Sequence, residues 1–366
     1  MLGHKRIPTR EGGIEVVVEE LAVRMARLGH HVTCYNRSGR PLGGAFSGGR
    51  TKSREYQGVR IRTAPAVPYR GLAAVTASVS GAFRAAFGRY DAVHFHAEGP
   101  AFMCWLPKLT GKRVVVTIHG LDHQRAKWGR FASAYILAGE KNAVRYADAI
   151  IVLSKSMQDY FRDTYGRQTH FIANGVNRPA RREASLLKRL GLEKDGYLLF
   201  LGRLVPEKGI RYLIEAFHAV HTGKKLVIAG GSSDSDGFLR ELQARAKADG
   251  RIVFTGFVEG ELLEELYSNA YLYCLPSDLE GMPLSLLEAL SYGNCCVVSD
   301  IPECAEVVGD RAAVFHRGDA EDLRRILQQL CDDPGRVERY REGASDFICG
   351  KYSWEEAVKR TLALYE

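Results

Sequence analysis

The chain has 366 residues, 46% hydrophobic and 26% charged, which suits about two globular domains and excludes a disordered or collagen-like polypeptide. Its formal charge of +8 is unevenly spread: residues 1–178 hold 27 Lys and Arg against 12 Asp and Glu, a net of +15, and the remainder nets −7. A basic half predicts an anionic partner there, whether nucleic acid, a membrane surface or a phosphorylated substrate. None of the eight cysteines forms a CxxC pair, and Cys274, Cys295 and Cys296 fall in apolar runs. Free buried thiols in a reducing compartment are expected, rather than disulfides or a zinc site. No leader-like apolar region opens the chain, and no apolar run reaches the ~20 residues that span a bilayer, so a cytoplasmic location is expected.

In chain order, a helix follows Gly12-Gly13, with Val17, Leu21, Met25 and Leu28 on its apolar positions and Gly29 as terminator. A βαβ unit opens with a strand, yet only Met1 and Leu2 precede this helix as strand candidates, so the first strand is expected to be largely truncated. His31–Asn36 reads as the next strand, residues 38–58 as a mobile Gly/Ser/Arg-rich loop, and Val59–Thr63 as a strand. Leu72, Val75, Val79, Phe83 and Phe87 recur at near-helical spacing. They predict an amphipathic helix against the core, with a membrane-touching helix flanked by Arg70, Arg84 and Arg89 as the alternative.

Strand-like runs then end in polar residues at His96, His119, Ser154 and Asn174, with helices at 132–146 and 155–165 between them. Alternating strands and helices predict a doubly wound parallel sheet, whose ligands gather at the carboxyl ends of the strands. Residues 175–196 read as a linker. A second series follows at Tyr197–Gly202, Lys225–Gly230, Ile252–Gly256, Leu272–Pro276 and Cys295–Ser299. The expected division is 1–178 and 179–366, with the last helix, from Ser353, packing back on the first domain.

Chemistry concentrates in two loops. Glu280 lies in the loop after Leu272–Pro276, and Pro283 is placed to open a helix that carries Glu288 about a turn and a half in. Backbone N–H groups of such a helix start, between two carboxylates, suit a ligand with phosphates and hydroxyls. Two carboxylates also admit a glycosidase-like acid–base pair, and a plain surface loop is the bland alternative. On the other loop, Arg203 and Lys208 can neutralise a diphosphate, one as a fork and one as a point charge. Gly12-Gly13 lets backbone approach an anion, although a tight turn explains it equally. Asp234-Ser235-Asp236 spells a metal-binding DxD pattern but sits in a turn-like Gly/Ser loop, where a solvated loop is the expected reading.

Gly12-Gly13-Ile14-Glu15, Thr117-Ile118-His119-Gly120-Leu121-Asp122, Asn174-Gly175-Val176, Gly202-Arg203 with Glu207-Lys208-Gly209, and Glu280-x7-Glu288 occur in this order over almost the whole chain. Together they resemble the retaining nucleotide-sugar glycosyltransferases of family four, which have two facing Rossmann-like α/β domains in the GT-B arrangement. Residues 7–15 and 120–129 are similar to a bacterial branch that includes rhamnosyltransferases of surface-polysaccharide assembly. The resemblance implies that Glu280 binds donor-sugar hydroxyls and Glu288 the ribose. It implies that Arg203, Lys208 and the backbone of Met282-Pro283-Leu284 hold the diphosphate. Gly12, Gly13 and Asn174 would approach the donor from the first domain, and His119 would orient the transferred sugar. The leaving phosphate takes the acceptor proton in this family's usual scheme, so no side-chain nucleophile and no metal are expected. The implied function is transfer of a hexose or deoxyhexose such as rhamnose to a glycan or lipid-linked acceptor, with peripheral contact to an anionic membrane. Epimerisation or phosphorolysis of nucleotide sugars on the same fold, or a non-catalytic partner role, are the alternatives. Nucleic-acid binding lacks an aromatic-interleaved basic motif or a helix-turn-helix pattern and is not expected.

Overall fold

The computed structural model describes residues 1–39, 54–67, 69, 72–124, 129–231 and 236–366. Most of the loop read at 38–58, Arg70, residues 125–128 of the rhamnosyltransferase-like stretch and Asp234-Ser235 lie outside the described residues. The chain divides into two compact units, Met1–Gly175 with Trp354–Glu366, and Val176–Ser353.

Among the described residues, seven strands build the sheets of the N-terminal unit: β1 (Thr33–Arg37), β2 (Glu55–Tyr56), β3 (Val59–Ala64), β4 (Ala92–His96), β5 (Arg113–Ile118), β6 (Ala149–Val152) and β7 (His170–Phe171). β4, β5, β6 and β7 run parallel in that order, while β1 pairs parallel with β3 and β3 carries β2 antiparallel. Met1 and Leu2 lie between the two sheets. The Leu2 N–H donates to the His94 carbonyl (3.0 Å), the His96 N–H to the Leu2 carbonyl (2.9 Å), and the Tyr35 N–H to the Met1 carbonyl (3.1 Å). These two residues therefore satisfy backbone groups of β1 and β4 that would otherwise be buried unpaired. Val114–Ile118, Thr117 included, and Ala149–Val152 are buried throughout, as strands of a covered parallel sheet are.

The helices of this unit are α1 (Gly13–Arg27), α2 (Leu72–Ala86), α3 (Glu98–Ala101), α4 (Trp105–Leu109), α5 (Arg130–Tyr146) and α6 (Lys155–Tyr165). α1 packs Val18, Ala22 and Val23 into a core cluster with Ile7, Cys34 and Val59. α2 corrects the sequence expectation. Its small residues Ser78, Gly81, Ala82, Ala85 and Ala86 face inward, and the large ones face out, with Leu72 48%, Val79 42% and Phe83 57% exposed. Phe87, just past its end, is 67% exposed. Small side chains let the helix axis approach its neighbours closely, and that proximity leaves the bulky stripe in water.

The C-terminal unit has one sheet of β8 (Tyr197–Leu201), β9 (Lys225–Ala229), β10 (Ile252–Gly256), β11 (Leu272–Leu275), β12 (Cys296–Ser299) and β13 (Ala313–Phe315). Every pair is parallel, in the order β10-β9-β8-β11-β12-β13. β13 escapes the sequence reading because its apolar run, Ala313-Val314-Phe315, is too short to stand out. Its helices are α7 (Ile210–His218), α8 (Asp236–Ala246), α9 (Gly260–Asn269), α10 (Leu284–Ser291), α11 (Pro302–Val308), α12 (Ala320–Asp332), α13 (Pro334–Arg341) and α14 (Ala344–Lys351). The final helix, α15 (Trp354–Leu362), is part of the N-terminal unit. There Arg24 pairs with Glu355 (3.1 Å) and lies over the Trp354 ring, and Tyr365 reaches His94 Nδ1 (2.7 Å). All eight cysteines are free thiols, six of them buried. No helix among the described residues is long and apolar enough to cross a membrane.

Candidate active site

Strand order in the C-terminal sheet reverses between β8 and β11, and the crevice beyond the carboxyl ends of such a pair is where doubly wound sheets bind ligands. The loop after β8 carries Gly202, Arg203 and Lys208, and the loop after β11 carries Ser277, Asp278 and Glu280. The two loops meet. Asp278 N–H donates to the Glu207 carbonyl (2.9 Å), and Gly209 sits with φ +67°, where a Cβ would overlap the Pro276 carbonyl and the Tyr212 hydroxyl. Glycine is required there on both counts. The Tyr212 hydroxyl stands 2.5 Å from the Pro276 carbonyl and 2.7 Å from Asp278 Oδ1 and donates to one at a time. Burial, followed by that carboxylate, raises its phenol above the ordinary range.

Lys208 and Glu280, assigned from sequence to different parts of a donor, are joined to each other. Lys208 Nζ lies 2.5 Å from Glu280 Oε1, and the Ser277 hydroxyl donates to the same oxygen (2.6 Å). Their side chains are only 13% and 9% exposed, so this is a nearly desolvated pair with strong mutual dependence. Lys208 keeps further N–H donors for a ligand, since an ammonium has three.

Pro283 is the N-cap residue of α10, with Leu284 its first helical residue, so the helix begins one position later than expected. Glu288 consequently stands about one turn in. Leu286 and Leu287 N–H groups donate back to the Pro283 carbonyl (3.0 and 3.2 Å), which leaves the N–H groups of Leu284 and Ser285 at the open helix end. Two buried tyrosines support this turn. Tyr267 donates to Glu288 Oε2 (3.1 Å), and Tyr273 to Ser285 Oγ (2.8 Å). Neither was singled out from the sequence, nor was Ser277. A buried tyrosine hydroxyl needs a partner, but nothing in the sequence says which. Met282 is buried and Arg203 is half-buried at the end of β8. Phe257, just past β10, is 46% exposed, and Val258 is buried.

The remaining sequence candidates belong to the N-terminal unit. His119 follows β5, and its Nε2 is 3.0 Å from Nδ1 of His96 at the end of β4. His96 stacks on His94 (ring centroids 4.2 Å apart), whose Nε2 meets Thr117 Oγ1 (2.7 Å). Burial holds His94 and His96 well below the usual imidazole range, so these two rings are neutral. Gly12 caps α1 in extended conformation and Gly13 begins it. A Cβ on Gly12 would meet Glu15 Oε2, and Glu15 Oε1 accepts the Lys5 N–H (2.8 Å), so an internal carboxylate already lies at this helix start. Asn174 is buried beyond β7, and a Cβ on the next residue, Gly175, would overlap the backbone of Trp354. Ser154 is the cap of α6, accepting the Met157 N–H (3.2 Å). Sequence reasoning missed Glu98, His123 and Glu140, which converge behind this rim. Burial, and then the Glu140 carboxylate, push the Glu98 carboxyl well above the carboxylate range.

Residues 11–178 match the model of Glycosyltransferase Family 4, and residues 184–347 that of Glycosyl transferases group 1. Alpha-D-kanosaminyltransferase of Streptomyces kanamyceticus is 27% identical over 299 residues, 75% of this chain and 76% of that protein. O-antigen chain mannosyltransferase B of Escherichia coli is 32% identical over 186 residues, 50% of this chain and 48% of that one. The crystal structure of Anabaena Alr3699/HepE in complex with UDP-glucose superposes with a TM-score of 0.80 at 18% identity, covering 99% of this chain and 98% of the other. Two Rossmann-like units with these matches place the chain among the glycosyltransferases of the GT-B fold, with an N-terminal unit of family four and a C-terminal unit of group 1.

Proposed function

We propose that this glycosyltransferase moves a hexose or deoxyhexose, such as rhamnose, from a nucleotide diphosphate sugar to a glycan or lipid-linked acceptor, with anomeric retention, in surface-polysaccharide assembly. The observation that carries the reading is the Lys208–Glu280 pair at the strand-order reversal, beside the open start of α10. In this reading Lys208 and Arg203 meet the diphosphate and stabilise the charge that grows on it as the bond to the sugar breaks. Backbone N–H groups at Met282-Pro283-Leu284 add to that field. Glu280 takes sugar hydroxyls, Glu288 the ribose, and His119, steadied by His96, orients the transferred sugar; Gly12, Gly13 and Asn174 complete the donor contacts. The departing phosphate takes the acceptor proton, and the step uses neither a side-chain nucleophile nor a metal ion.

Support for the donor comes from the UDP-glucose complex of the structural neighbour, and support for the acceptor from the O-antigen chain relative. The basic N-terminal unit and the outward stripe of α2 favour contact with an anionic membrane carrying the acceptor lipid. A thermal-shift panel of UDP-, GDP-, ADP- and dTDP-sugars is the direct test: one base class should raise Tm, and silence across the panel overturns the donor reading. Product anomers resolved by NMR should match the donor's configuration; inverted product overturns retention. Turnover without acceptor would favour epimerase or phosphorylase chemistry instead.

A further inference from the structure

The N-terminal unit contains a second group of ionisable side chains that the transfer step does not use. Glu98 is the first residue of α3, His123 lies on the turn Asp122–Gln124 after β5, and Glu140 is in mid-α5. Both carboxylates are fully buried. His123 Nδ1 is 3.4 Å from Glu98 Oε1 and 3.4 Å from Glu140 Oε2, and one donor atom of each residue lies within 4.8 Å of the other two.

These spacings are long for N–H···O hydrogen bonds. They match the roughly 3.3–3.4 Å edge of a tetrahedron whose ligands stand about 2.0–2.1 Å from a central ion. A second observation points the same way: Glu98 Oε2 and Glu140 Oε2 are buried and take no hydrogen bond from any other residue, so the two facing carboxyl groups are balanced only by a proton they share or by a cation. The other oxygen of Glu140 is held by two phenols, Tyr160 (2.9 Å) and Tyr165 (2.5 Å). That is how outer-sphere donors fix a ligating carboxylate. The backbone is shaped to bring the groups together. Ala97, just before Glu98, adopts φ +76°, and a Cβ on Gly139 would overlap the Glu98 carbonyl, so α5 comes as close as glycine permits.

We propose that Glu98, His123 and Glu140 bind one divalent transition-metal ion, with water completing its coordination. Two carboxylates and an imidazole suit zinc, and manganese or iron(II) among its neighbours. The ion is structural. It ties the segment that follows His119 to α3 and α5, and so stiffens the rim where His96 and His119 meet. It stands apart from the diphosphate chemistry, and its test does not depend on the donor assignment.

The full chain, stripped with chelator and titrated with zinc chloride, should retain one zinc per chain after gel filtration and gain Tm with zinc concentration. His123→Ala should weaken zinc binding at least about tenfold, and Tyr165→Phe, an outer-sphere change, by roughly 10–100-fold. Glu98→Gln should lose the zinc-dependent Tm gain while still folding, because Gln copies a protonated carboxyl. Cobalt(II) in place of zinc should show the visible bands of a four- or five-coordinate N/O site. Three results overturn the proposal: no retained metal, zinc affinity unchanged in both His123→Ala and Glu98→Gln, or a cobalt–thiolate band that assigns the metal to cysteine.

Discussion

At the scale of single residues, Lys208 and Glu280 are 72 positions apart, so their union is a property of the fold. Removing either charge leaves the other nearly buried and unpaired. Lys208→Met or Glu280→Gln alone should therefore cost about 3 kcal/mol in chemical denaturation, and the double variant less than the sum. Purely additive losses would refute the coupling. Glu288→Gln keeps the shape and the Tyr267 contact but loses a charged acceptor. On the proposed ribose role, nucleotide-diphosphate affinity should fall about tenfold, or ~1.4 kcal/mol, and isothermal titration would show it. The residue types of this site were legible because they cluster at two spacings along the chain. Their supports were not: Ser277, Tyr267 and Tyr273 look like ordinary strand-end and helix-end residues until the loops are folded against one another.

Elements were easiest to read where burial is complete. Val114–Val116 and Leu226–Ala229 are continuous apolar runs, and a covered parallel strand needs little more. α2 was read inside out, because periodicity gives a face but not which face is inward. Five small residues decided that in favour of close approach. If its outward stripe rests on lipid, Phe83→Asp with Phe87→Asp should abolish co-sedimentation with anionic vesicles and spare turnover on a water-soluble acceptor. Retained vesicle binding would remove the membrane from the proposal. Glycines separate backbone strain from crowding. Gly166 (φ +62°) has open space around its missing Cβ, whereas Gly209 (φ +67°) abuts the loop after β11. Gly166→Ala should cost about 1–2 kcal/mol. Gly209→Ala should add an overpacking penalty of about 1–3 kcal/mol and weaken nucleotide-sugar binding as well. Equal losses in denaturation would deny the loop contact.

For the whole molecule, acid is the informative variable. Burial, then the Met1 ammonium, lowers His4 to about 3, and the same causes in the same order hold His94 well below 6.5. Both stay neutral in the folded protein down to low pH, while the unfolded chain protonates them below about 6.5. Their contribution to stability is thus complete above that value and is lost as pH falls toward the folded values. Each costs about 1.4 kcal/mol per pH unit. Between pH 7.5 and 5.5 urea denaturation should register a loss of roughly 3 kcal/mol from the pair, and a flat profile would refute it. The doubly wound architecture was open to sequence reading. The role of Met1-Leu2 was not, since two residues carry no pattern and only their neighbours β1 and β4 define it.

The path of the chain has one more outcome. Residues 176 to 353 leave and rejoin the N-terminal unit at a single doorway, where the Val176 N–H donates to the Tyr352 carbonyl (3.1 Å). The C-terminal unit is thus a closed cassette whose two ends are already clasped, the arrangement in which inserted or permuted domains are tolerated. Its host is the more dependent partner. Cut at the apparent border near 178, the N-terminal unit forfeits Trp354, Glu355 and Tyr365, a seam of its own that the chain completes only in its last thirteen residues.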